Sequence, residues 1–245
     1  MAGQVSIGGC AEGQLVLASA SPRRVQLLAA LGLRFDVLAA DISEERKPQE
    51  PPAELARRLS LEKAWAVAAQ RPADLVLACD TVVSLGWGAE AAVFGKPAGD
   101  DDLRRMLECL LGREHWVFTG YALVSRAAGL ERCGWEAARV QLRRLGSEEL
   151  EEYIRSGLGR DKAGAYAVQD TSFRLAKVLE GCAAAVMGLP LCALRRELLL
   201  LGLPVASTQA VARACAQLTG HPCCLEAELN YSGEVEALWQ SSRSS

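Results

Sequence analysis

Leu15-Val-Leu-Ala-Ser-Ala-Ser-Pro-Arg-Arg-Val-Gln-Leu-Leu28 decides the fold class. Leu15 to Ala18 is an apolar run long enough for a buried strand. Small residues at 19–21 break it, and Pro22 suits the first position of a helix, where its missing N–H costs nothing. Val25, Leu27, Leu28 and Leu31 supply an apolar face, and Gly32 a stop. The stretch therefore reads as strand, tight turn, helix. Arg23 and Arg24 are out of place in that reading. A first helical turn favours negative charge, and cations there lose about 0.3–1 kcal/mol each. An anion docked at the helix start reverses the sign, because free N–H groups, the hydroxyls of Ser19 and Ser21 and two guanidinium forks would converge on it. The plainer alternative is two solvated arginines on an ordinary turn.

Composition narrows the class. The chain has 245 residues, half of them hydrophobic, so it can bury a sizeable core as one large domain or two small ones. A net charge of −3 and the lack of a basic run argue against non-specific nucleic-acid binding. No apolar stretch approaches the roughly 20 residues of a membrane span. Nine cysteines without framework spacing point to free thiols in a reducing compartment, so a cytoplasmic protein is expected, with neither nucleic acid nor membrane as partner. His221-Pro-Cys-Cys has a metal-binding composition, but four ligands at useful spacing are missing and no metal is expected there.

Outward from the opening unit, Met1 to Gln14 is Gly-rich and expected to fray, and Arg34 to Leu38 reads as a second strand. A charged, Pro-interrupted loop follows. Its Glu44 and Glu45 could hold a hard cation or simply face solvent. Ala53 to Ala69 is a helix carrying Lys63, a residue that is usually solvated in such a place. Leu75 to Val83 is the most apolar strand-like segment, yet Asp80 sits inside it. An unpaired carboxylate there is expensive, so it needs a metal, a cation or water at a strand end. Lys96, held extended before Pro97, projects a point charge suited to phosphate, with a surface role as the default. A helix follows from Asp100 and a strand from His115; Gly129 and Gly134 separate that strand from another over Glu136 to Leu145. His115 has no second histidine nearby and reads as structural. A helix begins at Ser147 with a good N-cap, and Phe173 to Leu179 reads as a strand. Between them, the small residues after Asp161 allow close backbone approach to a ligand, and Gln169 offers an amide able to read a base edge. A helix opens at Pro190, and Val205 to Leu218 could form another before a disordered Ser-rich end.

In this order the motifs Ser19-Ala-Ser-Pro-Arg-Arg, Glu62-Lys-Ala, Asp80-Thr-Val-Val, Gly95-Lys-Pro, Leu110-Leu-Gly-Arg-Glu-His with Thr119-Gly, Asp161-Lys-Ala-Gly-Ala-Tyr and Gly188-Leu-Pro-Leu resemble the Maf family of nucleoside triphosphate pyrophosphatases. The resemblance covers residues 14 to 203 as one nucleotide pyrophosphatase domain. Residues 204 to 245 form an extension of unassigned role, and truncation after Leu203 is expected to leave activity intact. The resemblance implies an α/β fold with a mixed, curved β-sheet flanked by helices in two lobes around a cleft, and often a homodimer. It implies cleavage of a triphosphate between its α and β phosphates with a divalent metal, Mg²⁺ or Mn²⁺. Asp80-Thr81 with Tyr166-Ala-Val-Gln169 resembles the branch acting on dTTP and UTP; a sister branch takes methylated GTP. Arg23, Thr81 and Gln169 are the implied specificity positions.

On this resemblance Ser19, Ser21, Arg23, Arg24, Lys63 and Lys96 would hold phosphate, Glu44 and Asp80 the metal, and Asp80 would be the catalytic base. The last two roles compete, because a tightly metal-bound carboxylate is a poor base. Asp170 stands where the family commonly has glycine and puts an added negative charge near the base pocket. A nucleotide-binding regulator of cell division that does not hydrolyse its ligand is the alternative from another class.

Overall fold

The computed structural model describes residues 5–7 and 10–225. The chain runs β1 (Val5–Ile7), β2 (Cys10–Gly13), β3 (Leu15–Leu17), α1 (Pro22–Ala29), β4 (Asp36–Val37), α2 (Pro52–Gln70), β5 (Leu75–Leu85) and β6 (Ala92–Phe94). It continues through α3 (Asp100–Leu110), β7 (Glu114–Ser125), β8 (Leu130–Leu142), α4 (Ser147–Ser156) and a 3-10 turn (Ala163–Ala165). It ends with β9 (Ala176–Glu180), α5 (Ala183–Val186), α6 (Leu191–Leu200) and α7 (Thr208–Thr219). The main sheet has the order β4-β3-β5-β7-β8-β9, with β6 paired to β5. β3 is parallel to both β4 and β5, and the remaining pairings are antiparallel, so the sheet is mixed. This is the α/β class the sequence implies.

Several boundaries differ from the sequence reading. The second strand shrinks to Asp36–Val37, both exposed, because only two residues pair with β3. Strand β8 begins at Leu130, so Gly134 lies inside it and not in the turn. A side chain there would meet the Tyr121 ring across the strand pair. Val5–Ile7 and Cys10–Gly13 pair as an antiparallel ladder where fraying is expected. Residues 1–4, 8 and 9, and the Ser-rich end, lie outside the described residues. Helix α4 is capped at Gly146 without a side-chain hydrogen bond, so Ser147 is its first helical residue and not its cap.

The first core gathers Leu15, Leu17, Leu27, Leu28 and Leu31 with Leu75, Leu77, Leu194 and Leu198. Each is essentially fully buried, worth about 1.5–3 kcal/mol apiece relative to exposure. The same cluster includes Val211, Ala212, Cys215, Cys223 and Leu225. Ser207 caps α7 by accepting from the Ala210 N–H, and the Ala206 N–H donates to the Leu31 carbonyl. Residues 204–225 therefore complete the core around α1. Truncation after Leu203, which is expected to leave activity intact, would uncover that core.

A second packing feature positions the chemistry. Helix α2 lies on β5 and β7. A Cβ at Gly120 would stand 2.1 Å from the Ala56 carbonyl oxygen, so only glycine admits this approach. Gly120 pairs directly with Asp80. Ala56 and Lys63 are seven residues apart, two turns along one helix face. The close contact at Gly120 thus delivers Lys63 to the strand bearing Asp80.

Candidate active site

The parallel alignment of β3 and β5 puts the ends of Leu17 and Leu77 side by side, and the Ala18 N–H donates to the Leu77 carbonyl. The turn into α1 and the carboxylate of Asp80 therefore emerge at the same edge of the sheet. A cavity of about 430 Å³ opens there. Ser19, Ser21, Arg23, Arg24, Glu44, Lys63, Asp80, Thr81, Lys96 and Gln169 all line it, so the fold brings together the residues the family resemblance implies for the site; Glu45, the other acid of the loop, does not line it.

At its centre is a buried ammonium. Lys63 Nζ donates to Asp80 Oδ1 at 2.5 Å and meets Glu44 Oε1 at 2.6 Å. Lys63 is 8% exposed, so it is not the solvated residue of the plainer reading, and Asp80 is 6% exposed with the ammonium as its partner. Burial raises the Glu44 carboxyl, but the Lys63 hydrogen bond and the charges of Lys63, Lys96 and Arg24 outweigh it and hold it below the usual range. Cys79, next to Asp80, is no competing nucleophile: burial pushes its thiol up to about 12.

The arginines have separate anchors. Arg23 Nη1 pairs with Asp161 Oδ2 at 2.9 Å. Arg24 spreads its fork over Gly188 O (Nε, 2.8 Å), Ser19 Oγ (Nη1, 3.3 Å) and Thr81 Oγ1 (Nη2, 3.2 Å). Guanidinium carries five N–H groups, so these contacts leave one on each terminal nitrogen. Helix α1 has no side-chain cap and no acid in its first turn. Ser19 Oγ instead accepts from the Ser21 N–H at 3.2 Å and shapes the turn. The start of α1 thus keeps the electropositive character that suits an anion.

Sequence reasoning did not assign roles to several supporting groups. Asp161 holds Arg23, and Lys162 lines the cavity beside it; both open the Asp161-Lys-Ala-Gly-Ala-Tyr motif, which carries the resemblance without a role for either side chain. Burial raises the Asp161 carboxyl, but hydrogen bonds from Lys162 and Arg23 bring it down to about 2. Thr119 Oγ1 lies 3.1 Å from Thr81 Oγ1 and donates to the Ala185 carbonyl at 2.7 Å, which fixes the segment leading to Gly188. Gly188 has φ +110° and its Cβ would crowd Arg24 Nε at 3.1 Å. Tyr166, which forms part of the wall, is held by His115 Nε2 at 2.7 Å. Asp170 does not line the cavity. Its carboxylate accepts from the N–H groups of Ser172 and Phe173 and closes a loop, so the charge feared near the base pocket is spent on backbone.

The family model for Maf-like protein matches residues 14–201. The chain belongs to the Maf family. Among Maf relatives, the dTTP/UTP pyrophosphatase of Geobacter sulfurreducens is 40% identical over 191 residues, covering 78% of this chain and 98% of its own. The dTTP/UTP pyrophosphatase of Myxococcus xanthus is 46% identical over 177 residues, covering 72% and 87%. That of Anaeromyxobacter dehalogenans is 44% identical over 180 residues, covering 73% and 89%. The Maf match thus spans the cavity and both arginines, while α7 and the Cys223–Cys224 turn fall beyond it. Among the described residues, no helix is long and apolar enough to cross a membrane.

Proposed function

We infer that this Maf protein hydrolyses nucleoside triphosphates, dTTP and UTP foremost, to the monophosphate and pyrophosphate. The observation that carries the reading is the convergence of Asp80, Lys63 and Glu44 with the two arginines at the start of α1 in one cavity. Arg23, Arg24 and the free N–H groups of the first turn bind the polyphosphate, with the Ser19 and Ser21 hydroxyls oriented toward it. Lys63 and Lys96 stabilise charge moving to the departing pyrophosphate. Asp80 Oδ1 is engaged by Lys63, so Oδ2 is the oxygen that takes the proton of the attacking water, in competition with any cation the carboxylate would hold.

The donor set also fits a hard divalent cation. Two carboxylate oxygens, from Glu44 and Asp80, already converge on one positive centre, the Lys63 ammonium. Glu44 and Asp80 would hold Mg²⁺ or Mn²⁺, and the ion would supply Lewis-acid screening of the phosphate oxygens. Thr81 and Gln169 shape the base end of the cavity. The Thr81 hydroxyl is held between Arg24 and Thr119, and the Gln169 amide reads a pyrimidine edge.

A panel of nucleoside triphosphates, methylated GTP included, assayed for pyrophosphate release with Mg²⁺ and Mn²⁺ tests the reading. Pyrophosphate from dTTP and UTP ahead of the purines is expected. Tight nucleotide binding with no pyrophosphate from any substrate would turn the reading to a non-hydrolysing regulator.

A further inference from the structure

The tertiary fold assembles a thiol cluster that lies outside the candidate active site. Cys182 precedes α5, Cys192 is in the first turn of α6, and Cys224 follows α7. Their three sulfur atoms lie within 4.8 Å of one another. Cys192 Sγ is 2.6 Å from Cys224 Sγ and 4.0 Å from Cys223 Sγ. Cys182 is buried, Cys192 half-buried and Cys224 exposed, so the group spans from core to surface and has an entry path.

We propose that Cys182, Cys192 and Cys224 form a structural site for a thiophilic d¹⁰ cation of the zinc class, with Cys223 or a solvent oxygen in the fourth position. Thiolate ligands select zinc or copper(I) over magnesium and calcium. Tetrahedral zinc with bonds of about 2.3 Å sets its sulfurs about 3.8 Å apart; Cys192 and Cys223 are near that spacing at 4.0 Å, and the 2.6 Å Cys192–Cys224 pair opens to it by a side-chain rotation when the ion enters. Each ligating thiol yields its proton to solvent when the ion enters.

The sequence spacing alone hid this site, because Cys182 and Cys192 are remote from the Cys223–Cys224 pair. The turn that returns that pair is pinned by Gly220, at φ +70°, and by the Thr219 hydroxyl, which accepts from the His221 N–H. The site would staple the segment beyond the Maf match to the start of α5. That same short helix supplies the Ala185 carbonyl to Thr119, and Gly188 after it supplies its carbonyl to Arg24. A metal there would rigidify the wall of the nucleotide cavity from behind, without touching substrate.

The test uses the full chain, purified reduced and without a chelating affinity tag, and reads metal content, the absorption of the cobalt(II)-substituted protein and melting temperature. About one zinc per chain is expected, with thiolate-to-cobalt charge-transfer bands on substitution and a lower melting temperature after chelation. Cys224→Ser alters the exposed member and is the variant expected to stay folded; it should cut zinc retention at least about tenfold, whereas Cys109→Ser on α3 should retain it. Asp80→Asn should also retain it, which separates this ion from any at the carboxylates. Failure of the folded, reduced chain to bind zinc or cobalt(II) with thiolate bands would overturn the proposal. So would a Cys192–Cys224 disulfide in protein lysed and alkylated without air.

Discussion

His115 offers a quantitative test of how the cavity wall is held. Its ring is 1% exposed on β7, with Nε2 2.7 Å from the Tyr166 hydroxyl. Burial lowers its pKa from 6.5 to about 4. The unfolded chain therefore takes up a proton on this ring below pH 6.5 while the native state does not. The stability so contributed is complete above about pH 6.5 and is lost as pH falls toward 4. A displacement of that size amounts to about 3 kcal/mol in full, of which about 2 kcal/mol is lost by pH 5. For a chain of this length that corresponds to about 4–8 °C in melting temperature. The assay compares thermal unfolding at pH 7.5 and pH 5.0 for the wild type and His115→Gln. Gln keeps a polar group for Tyr166 but does not titrate in this range, so carboxylate effects common to both proteins cancel. The wild type should lose more than the variant by about that margin. Parallel acid profiles for the two would refute the assignment of a buried neutral imidazole.

Four other perturbations probe the site and its scaffold. Asp80→Asn should cut turnover by at least about 100-fold in pyrophosphate release with little change in melting temperature, because Glu44 still neutralises Lys63. Arg24→Lys keeps the charge but cannot span Gly188, Ser19 and Thr81, so kcat/KM should fall at least about tenfold in steady-state assays. Gly120→Ala drives a methyl into the Ala56 carbonyl; a loss of at least about 1–3 kcal/mol in urea denaturation is expected, with activity falling as Lys63 is displaced. Truncation after Leu203 uncovers the core that Val211, Cys215 and Cys223 complete, so the shortened chain should melt well below the full one in calorimetry.

The strand-turn-helix of residues 15–28 was legible in the sequence, because each of its signals is local: an apolar run, small residues, a proline at N1 and a helical apolar face. Asp80 also stood out by itself, since a carboxylate inside an apolar strand has few inexpensive explanations. The ordered motifs pointed to the Maf family, and the phosphate-binding and carboxylate residues implied by that resemblance line one cavity. Local pattern was silent on pairing and partners. The short β4 and the early start of β8 follow from which residues find a neighbouring strand.

The tertiary structure alone decided who meets whom. Lys63 bridges Asp80 and Glu44 because glycine at 120 lets α2 sink onto β7. Asp161 takes Arg23 across 138 residues, and Gly188 takes Arg24 across 164. The three thiols come from the start of α5, from α6 and from the turn after α7. Helical period and turn chemistry act over a few residues and can be read along the chain, whereas ion pairs, carbonyl anchors and metal ligands are selected by distance in space, which exists only once the sheet and its helices have closed.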